Sequence, residues 1–72
     1  MSKPNWSDAP SWANYLAADS CPGHQDEYWI WFESEPVIMH GDYWYSYEGA
    51  WKQDKRFPSR GVDWKNSLEP RP

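Results

Sequence analysis

Aliphatic side chains are scarce in this 72-residue chain, which has two Leu, two Ile and two Val, so no ordinary aliphatic interior can be assembled from it. It has one cysteine, Cys21, which excludes an intrachain disulfide and with it the stapled framework of small secreted domains. No stretch is long and apolar enough to cross a bilayer as a helix. Met1-Ser2-Lys3-Pro4-Asn5-Trp6 holds no apolar run of the signal-peptide kind, so a soluble, reducing compartment is expected. Gly-x-Gly-x-x-Gly, a phosphate loop ending in Lys and Gly-x-Ser-x-Gly are all absent. The length allows a single small domain, residues 1–72, that must reach stability without a staple.

What stands in for aliphatics is aromatic: seven Trp, five Tyr and two Phe. Large rings bury much area for little rotamer entropy, which suits both a miniature core and a sticky surface. Charge is divided along the chain. Residues 1–50 hold eight acids and one base, and residues 51–72 hold six bases and three acids, for a net charge of -4. The basic residues are spread out with acids among them, so pairing between the two halves is favoured over a nucleic-acid-binding tail.

Asp8 followed by Ala9-Pro10 reads as a helix start, and Trp12, Tyr15 and Leu16 at i, i+3, i+4 predict a short amphipathic helix over residues 9–18. Asp19-Ser20-Cys21-Pro22-Gly23-His24 ends it. The aromatic and β-branched run 27–34 predicts a strand with Tyr28, Ile30 and Phe32 on one face and Trp29, Trp31 and Glu33 on the other. Residues 37–39 extend briefly before a His40-Gly41-Asp42 turn. Strands over 43–47 and 50–53, joined by a Glu48-Gly49 turn, would complete an antiparallel meander. Residues 54–61 read as a basic loop, and 62–68 as a segment that packs Trp64 and Leu68 onto the sheet. The expected fold is α+β: a short N-terminal helix packed on a three-stranded antiparallel sheet. Trp12, Leu16, Tyr28, Ile30, Phe32 and Tyr45 are the expected buried set. Asn5-Trp6-Ser7-Asp8-Ala9 and Asp63-Trp64-Lys65-Asn66-Ser67 share a pattern that predicts two Trp-anchored turns clasping the termini.

Candidate chemistry is thin. Cys21-x-x-His24, with His40, Asp19 and Asp26, contains zinc-type ligands, but a structural site takes two close Cys/His pairs and only one is present. No metal and no cofactor are expected. Glu33 and Glu35, beside Trp29 and Trp31, have the residue types of a glycosidase, yet a chain of this length has little wall from which to build a cleft. Enzymatic function is not expected.

Three blocks in order, Trp6-x-Asp8-Ala9-Pro10-x-Trp12-Ala13-x-x-Leu16-Ala17-x-Asp19, Tyr28-Trp29-x-Trp31-Phe32-Glu33-x-x-Pro36 and Trp64-Lys65-x-Ser67-Leu68-Glu69-x-Arg71-Pro72, resemble a group of short Trp-rich tailed-phage and prophage proteins of unassigned function. The resemblance implies a phage origin and a host-cytoplasmic setting, and no reaction. The expected role is therefore an accessory protein that binds a host or phage protein, for instance to inhibit a host enzyme or defence system. Trp29, Trp31 and Trp44 would make the contact, with Glu33, Glu35 and Asp42 as an acidic rim that steers a basic partner. A monomer or weak homodimer is expected, with no membrane association. Single-stranded nucleic acid, gripped by Lys52, Lys55, Arg56 and Arg60, is the disfavoured alternative because the chain is acidic overall. A small Trp-rich carbohydrate-binding module, suggested by the segment from Gly41 to Trp51, is another.

Overall fold

A computed structural model describes residues 3–19, 27–59 and 61–72. β1 (Tyr15–Ala18) and β2 (Tyr28–Phe32) are the inner strands of a four-stranded antiparallel sheet. β5 (Trp51–Pro58) flanks β2 and the two-residue β6 (Glu69–Pro70) flanks β1, in the order β5-β2-β1-β6. Between β2 and β5 in sequence, β3 (Val37–Met39) and β4 (Tyr43–Tyr45) pair as a separate hairpin. Trp6–Asp8 and Trp64–Asn66 are single 3₁₀ turns, and no α-helix occurs among the described residues.

Inner strands covered on both faces must be apolar on both, which the runs Tyr-Leu-Ala-Ala and Tyr-Trp-Ile-Trp-Phe satisfy. The register sets Leu16 opposite Trp31 and Ala18 opposite Trp29 on one face, and Ala17 opposite Ile30 and Tyr15 opposite Phe32 on the other, so that three of the four pairs put a smaller side chain against a larger one. On the first face Trp6, Trp12, Phe57, Val62 and Trp64 close over this floor, and on the second Trp44 and Leu68 do so. Two thin aromatic cores thus replace one aliphatic core.

The expected α+β class is overturned: the fold is mostly β. The helix foreseen over 9–18 does not form: the Ala13 N–H donates to the Pro10 carbonyl at 3.0 Å to close a single tight turn, and the chain then runs extended. Three apolar residues at i, i+3, i+4 cover a single helical turn, and a ten-residue helix rich in aromatics is marginal in water. Extended, the same residues pair on both edges and leave Leu16, Ala17 and Ala18 wholly buried. The alanines, which favour a helix by propensity, sit here because Trp and Phe rings need short neighbours.

The expected meander is corrected too. The 43–47 strand stops at Tyr45 and pairs with β3, leaving β5 to pair with β2. β5 runs on to Pro58 through most of the segment read as a basic loop, with a bulge opposite Tyr28 and Trp29. Lys52, Lys55 and Arg56 together with a bulge are devices by which an edge strand avoids pairing with a neighbour. The excursion carrying the hairpin is tied at its base by the Glu33 N–H donating to the Ala50 carbonyl (2.9 Å) and the Ala50 N–H donating to Glu33 Oε1 (2.8 Å). At its tip the Asp42 N–H donates to the Met39 carbonyl, with His40 and Gly41 at φ of 54° and 71°.

Both Trp-centred pentads form the anticipated turns. Trp6 stands edge-on to Trp31 at 5.1 Å and donates its indole N–H to Glu69 Oε1, which also pairs with Lys3 through its other oxygen, so the first turn clasps the last strand. The second turn places Ser67 Oγ where it accepts the Ala18 N–H and donates to the Trp64 carbonyl. Of the six positions expected to be buried, Leu16, Ile30 and Phe32 are, Trp12 and Tyr28 are half-buried, and Tyr45 is exposed because its strand left the sheet.

Candidate functional site

Trp29 and Trp31, singled out as contact residues, lie inside the first core at 5% and 1% exposure. Trp31 donates its indole N–H to Asp54 Oδ2 at 3.0 Å, and Arg56 grips the same carboxylate through Nε and Nη2 at 2.9 and 2.7 Å. The Arg56 guanidinium holds the Asp54 carboxyl at about 2, below its ordinary 3.8; burial works in the opposite direction, and the Trp31 N–H and the Arg56 backbone N–H add to the lowering. The triad locks β5 to β2 and is structural.

Trp44, the third expected ring, is half-buried. It stands edge-on to Trp64 at 6.2 Å and donates its indole N–H to the Trp64 carbonyl at 3.2 Å, pinning the hairpin to the C-terminal turn. Glu33, Glu35 and Asp42 are exposed. Glu33 and Glu35 do not share a strand face beside Trp29 and Trp31, because β2 ends at Phe32; Glu33 caps the loop base, Glu35 precedes Pro36, and Asp42 lies in the hairpin turn.

The apolar surface that faces solvent is carried by other residues. Tyr47 and Trp51 are 73% and 60% exposed, and Val37, Ile38, Tyr43 and Tyr45 are each about two-fifths exposed. All six fall within residues 37–51, on the hairpin and the start of β5. Between the hairpin and the second face of the sheet lies a groove of about 350 Å³, floored by Ile30 and Phe32 and walled by Tyr43, Trp44, Tyr45 and Trp51. Tyr45 and Tyr47 meet edge-on at 5.0 Å beside it. Sequence reasoning missed Tyr43, Tyr45, Tyr47 and Trp51 as surface residues because it assigned their strands to the sheet. The available signal was the alternating aromatic run after a Gly-Asp turn, which fits a free-standing hairpin equally well.

No family model, no curated protein and no solved structure matches the chain.

The basic side chains of β5 do not join the aromatic groove. Lys52, Lys55 and Arg56 line an open depression together with Asp8, Pro10 and Trp31, and Arg56 is committed to Asp54. Arg60, and the Cys21, His24 and Asp26 of the conceivable zinc cluster, lie outside the described residues. Among the described residues no group of three His, Cys, Asp or Glu is placed to hold a metal, and no helix is long and apolar enough to cross a membrane.

Proposed function

We propose that this chain is a small phage-encoded accessory protein, working in the host cytoplasm, that binds a host or phage protein through the aromatic face of its hairpin and β5. The observation that carries the proposal is the concentration of exposed apolar side chains between Val37 and Trp51. Scattered apolar residues are ordinary on a protein surface, whereas exposed Trp and Tyr gathered within one short stretch of chain, with Val37, Tyr43 and Tyr45 on one hairpin face, favour an interaction site. Glu33, Glu35, Asp42 and Glu48 supply an acidic rim that would steer a basic partner. Blocking a host enzyme or defence protein is a role such a face can perform without chemistry of its own.

A binding role is favoured over catalysis because Asp54, the one carboxylate among the described residues with a clearly displaced pKa, is spent on Trp31 and Arg56. Single-stranded nucleic acid is disfavoured because it needs rings and cations on one surface, and here they lie on different faces of β5.

The test is capture from bacterial and phage-infected lysates on the immobilised chain, beside a Trp51→Ala variant whose fold is checked by near-ultraviolet circular dichroism. The proposal expects one stoichiometric protein, lost with Trp51. Equal capture by the folded variant, or none by either, would overturn it. Trp31→Ala is unsuitable as a surface probe because its ring is buried.

A further inference from the structure

We infer that the segment this groove receives is a proline-rich stretch of the partner in polyproline II conformation, carrying arginine or lysine at one end. The inference rests on the protein-docking reading of the same face. Three observations select this occupant. First, the lining is rich in aromatic residues, with Tyr43, Trp44, Tyr45 and Trp51 beside Ile30 and Phe32, and an aromatic-lined groove is the surface on which a preformed polyproline II helix docks with little ordering cost. At about 350 Å³ the groove is at the small end of ligand sites, enough for a few residues of an extended peptide.

Second, the polar side chains that line the groove are already engaged with their neighbours. Gln53 donates to Asp19 Oδ2 at 2.9 Å, and Ser46 Oγ donates to the Glu48 carbonyl at 2.6 Å. A sugar requires several uncommitted polar partners around its hydroxyls, whereas proline rings need apolar contact and a few donors for their carbonyls. Indole N–H and phenol O–H groups on Trp51, Tyr43 and Tyr45 are donors of that kind.

Third, the chain segments that supply most of the groove are acidic, and Lys65, the base stacked on Trp64 behind Trp44, is the cation nearest to it through ring contacts. Residues 4–51 contain no Lys or Arg, while Glu33, Glu35, Asp42 and Glu48 are exposed on the elements that frame it. Lys52, the nearest base in sequence, pairs opposite Trp31 and so projects to the other face of the sheet. A basic flank on the peptide complements this field. The chain's own Pro70-Arg71-Pro72 is not the occupant: Pro70 pairs with Tyr15, and Arg71 is bound to the Asn14 and Ala13 carbonyls and lies over Trp6.

The experiment titrates the full chain against fluorescein-labelled decaproline bearing two N-terminal arginines, and reads anisotropy. Comparators are decaproline without arginine, a Gly-Ser decamer with the same arginines, and chitohexaose followed by tryptophan fluorescence. Expected is saturable binding of the arginine-tagged decaproline, weaker binding without arginine, and a loss of about tenfold or more in both Trp51→Ala and Tyr45→Ala, each shown to be folded. Binding of the Gly-Ser peptide as tight as that of decaproline, or a response to chitohexaose alone, overturns the inference. If no proline peptide binds while lysate capture persists and depends on Trp51, the proline assignment falls and the docking face stands; if capture fails as well, both fall.

Discussion

Truncating Trp31 and truncating Trp51 should have opposite consequences, although both remove an indole from adjacent strands. The Trp31 ring is 1% exposed, packs edge-on to Trp6 at 5.1 Å and donates to the buried Asp54 carboxylate. Deleting a buried Trp side chain costs about 3–5 kcal/mol in transfer and cavity terms. The lost ring pair adds about 0.5–1.5 kcal/mol, and the donor taken from a charged acceptor about 1–3 kcal/mol. These contributions overlap, so Trp31→Ala should lose about 4–6 kcal/mol. A chain of this size has about 4–10 kcal/mol in total, which leaves the variant at the edge of unfolding. Trp31→Phe keeps most of the volume and should lose about 2 kcal/mol. Trp51, at 60% exposure, should cost less than about 1 kcal/mol. Urea unfolding followed by far-ultraviolet circular dichroism, at unchanged slope, gives all three values. A Trp31→Ala cost below about 1 kcal/mol, or a Trp51→Ala cost equal to it, would refute the assignment of one ring to the core and the other to the surface.

Two further outcomes follow from particular contacts. Asp54 has a folded pKa of about 2 against an ordinary 3.8, so its contribution to stability is complete above about pH 4 and is lost as pH falls toward 2. The loss is at most about 2 kcal/mol, reduced by solvent screening of the exposed Arg56; Asp54→Asn should flatten the acid limb of a stability–pH curve, and an unchanged acid limb would count against the triad. Gly49→Ala should destabilise by about 1–2 kcal/mol in the same urea assay, because φ is 81° and a Cβ would lie 3.0 Å from Glu33 Oε1 and Ser34 Oγ, beside the carboxylate that accepts the Ala50 N–H; a neutral result would mean that the loop base is not tied as described.

Local signals carried the sequence reading where one pattern had one meaning. The run 27–34 holds a strand with the expected faces, the His40-Gly41-Asp42 turn forms, and the Trp6 and Trp64 pentads become matching 3₁₀ turns. The reading failed where partner choice decides structure. Trp12, Tyr15 and Leu16 have the spacing of one helical turn, but Tyr15 to Ala18 are equally an apolar run that suits an inner strand, and pairing with β2 and β6 selects the strand. Tyr43 to Tyr47 looked like a sheet strand because nothing local tells a strand whether its neighbour is β2 or β3. That choice also decided which rings are wet: once the hairpin left the sheet, Tyr43 and Tyr45 became surface, while Trp29 and Trp31 are buried on the other face by Trp6, Trp12, Phe57, Val62 and Trp64. A sequence in which rings serve both as core and as contact surface hides this division, since burial is set by topology and not by residue type.

The division of labour among the rings is most directly measured by ¹⁹F NMR of protein labelled with 5-fluorotryptophan, assigned by single Trp→Phe changes and recorded in H₂O and D₂O. Trp29 and Trp31 should show dispersed resonances with no solvent-isotope shift, and Trp51 the largest shift of the seven. A Trp31 resonance that responds to solvent as strongly as that of Trp51, or a collapse of all seven to one position, would contradict an interior built on Trp29 and Trp31 with a docking face built on Trp51.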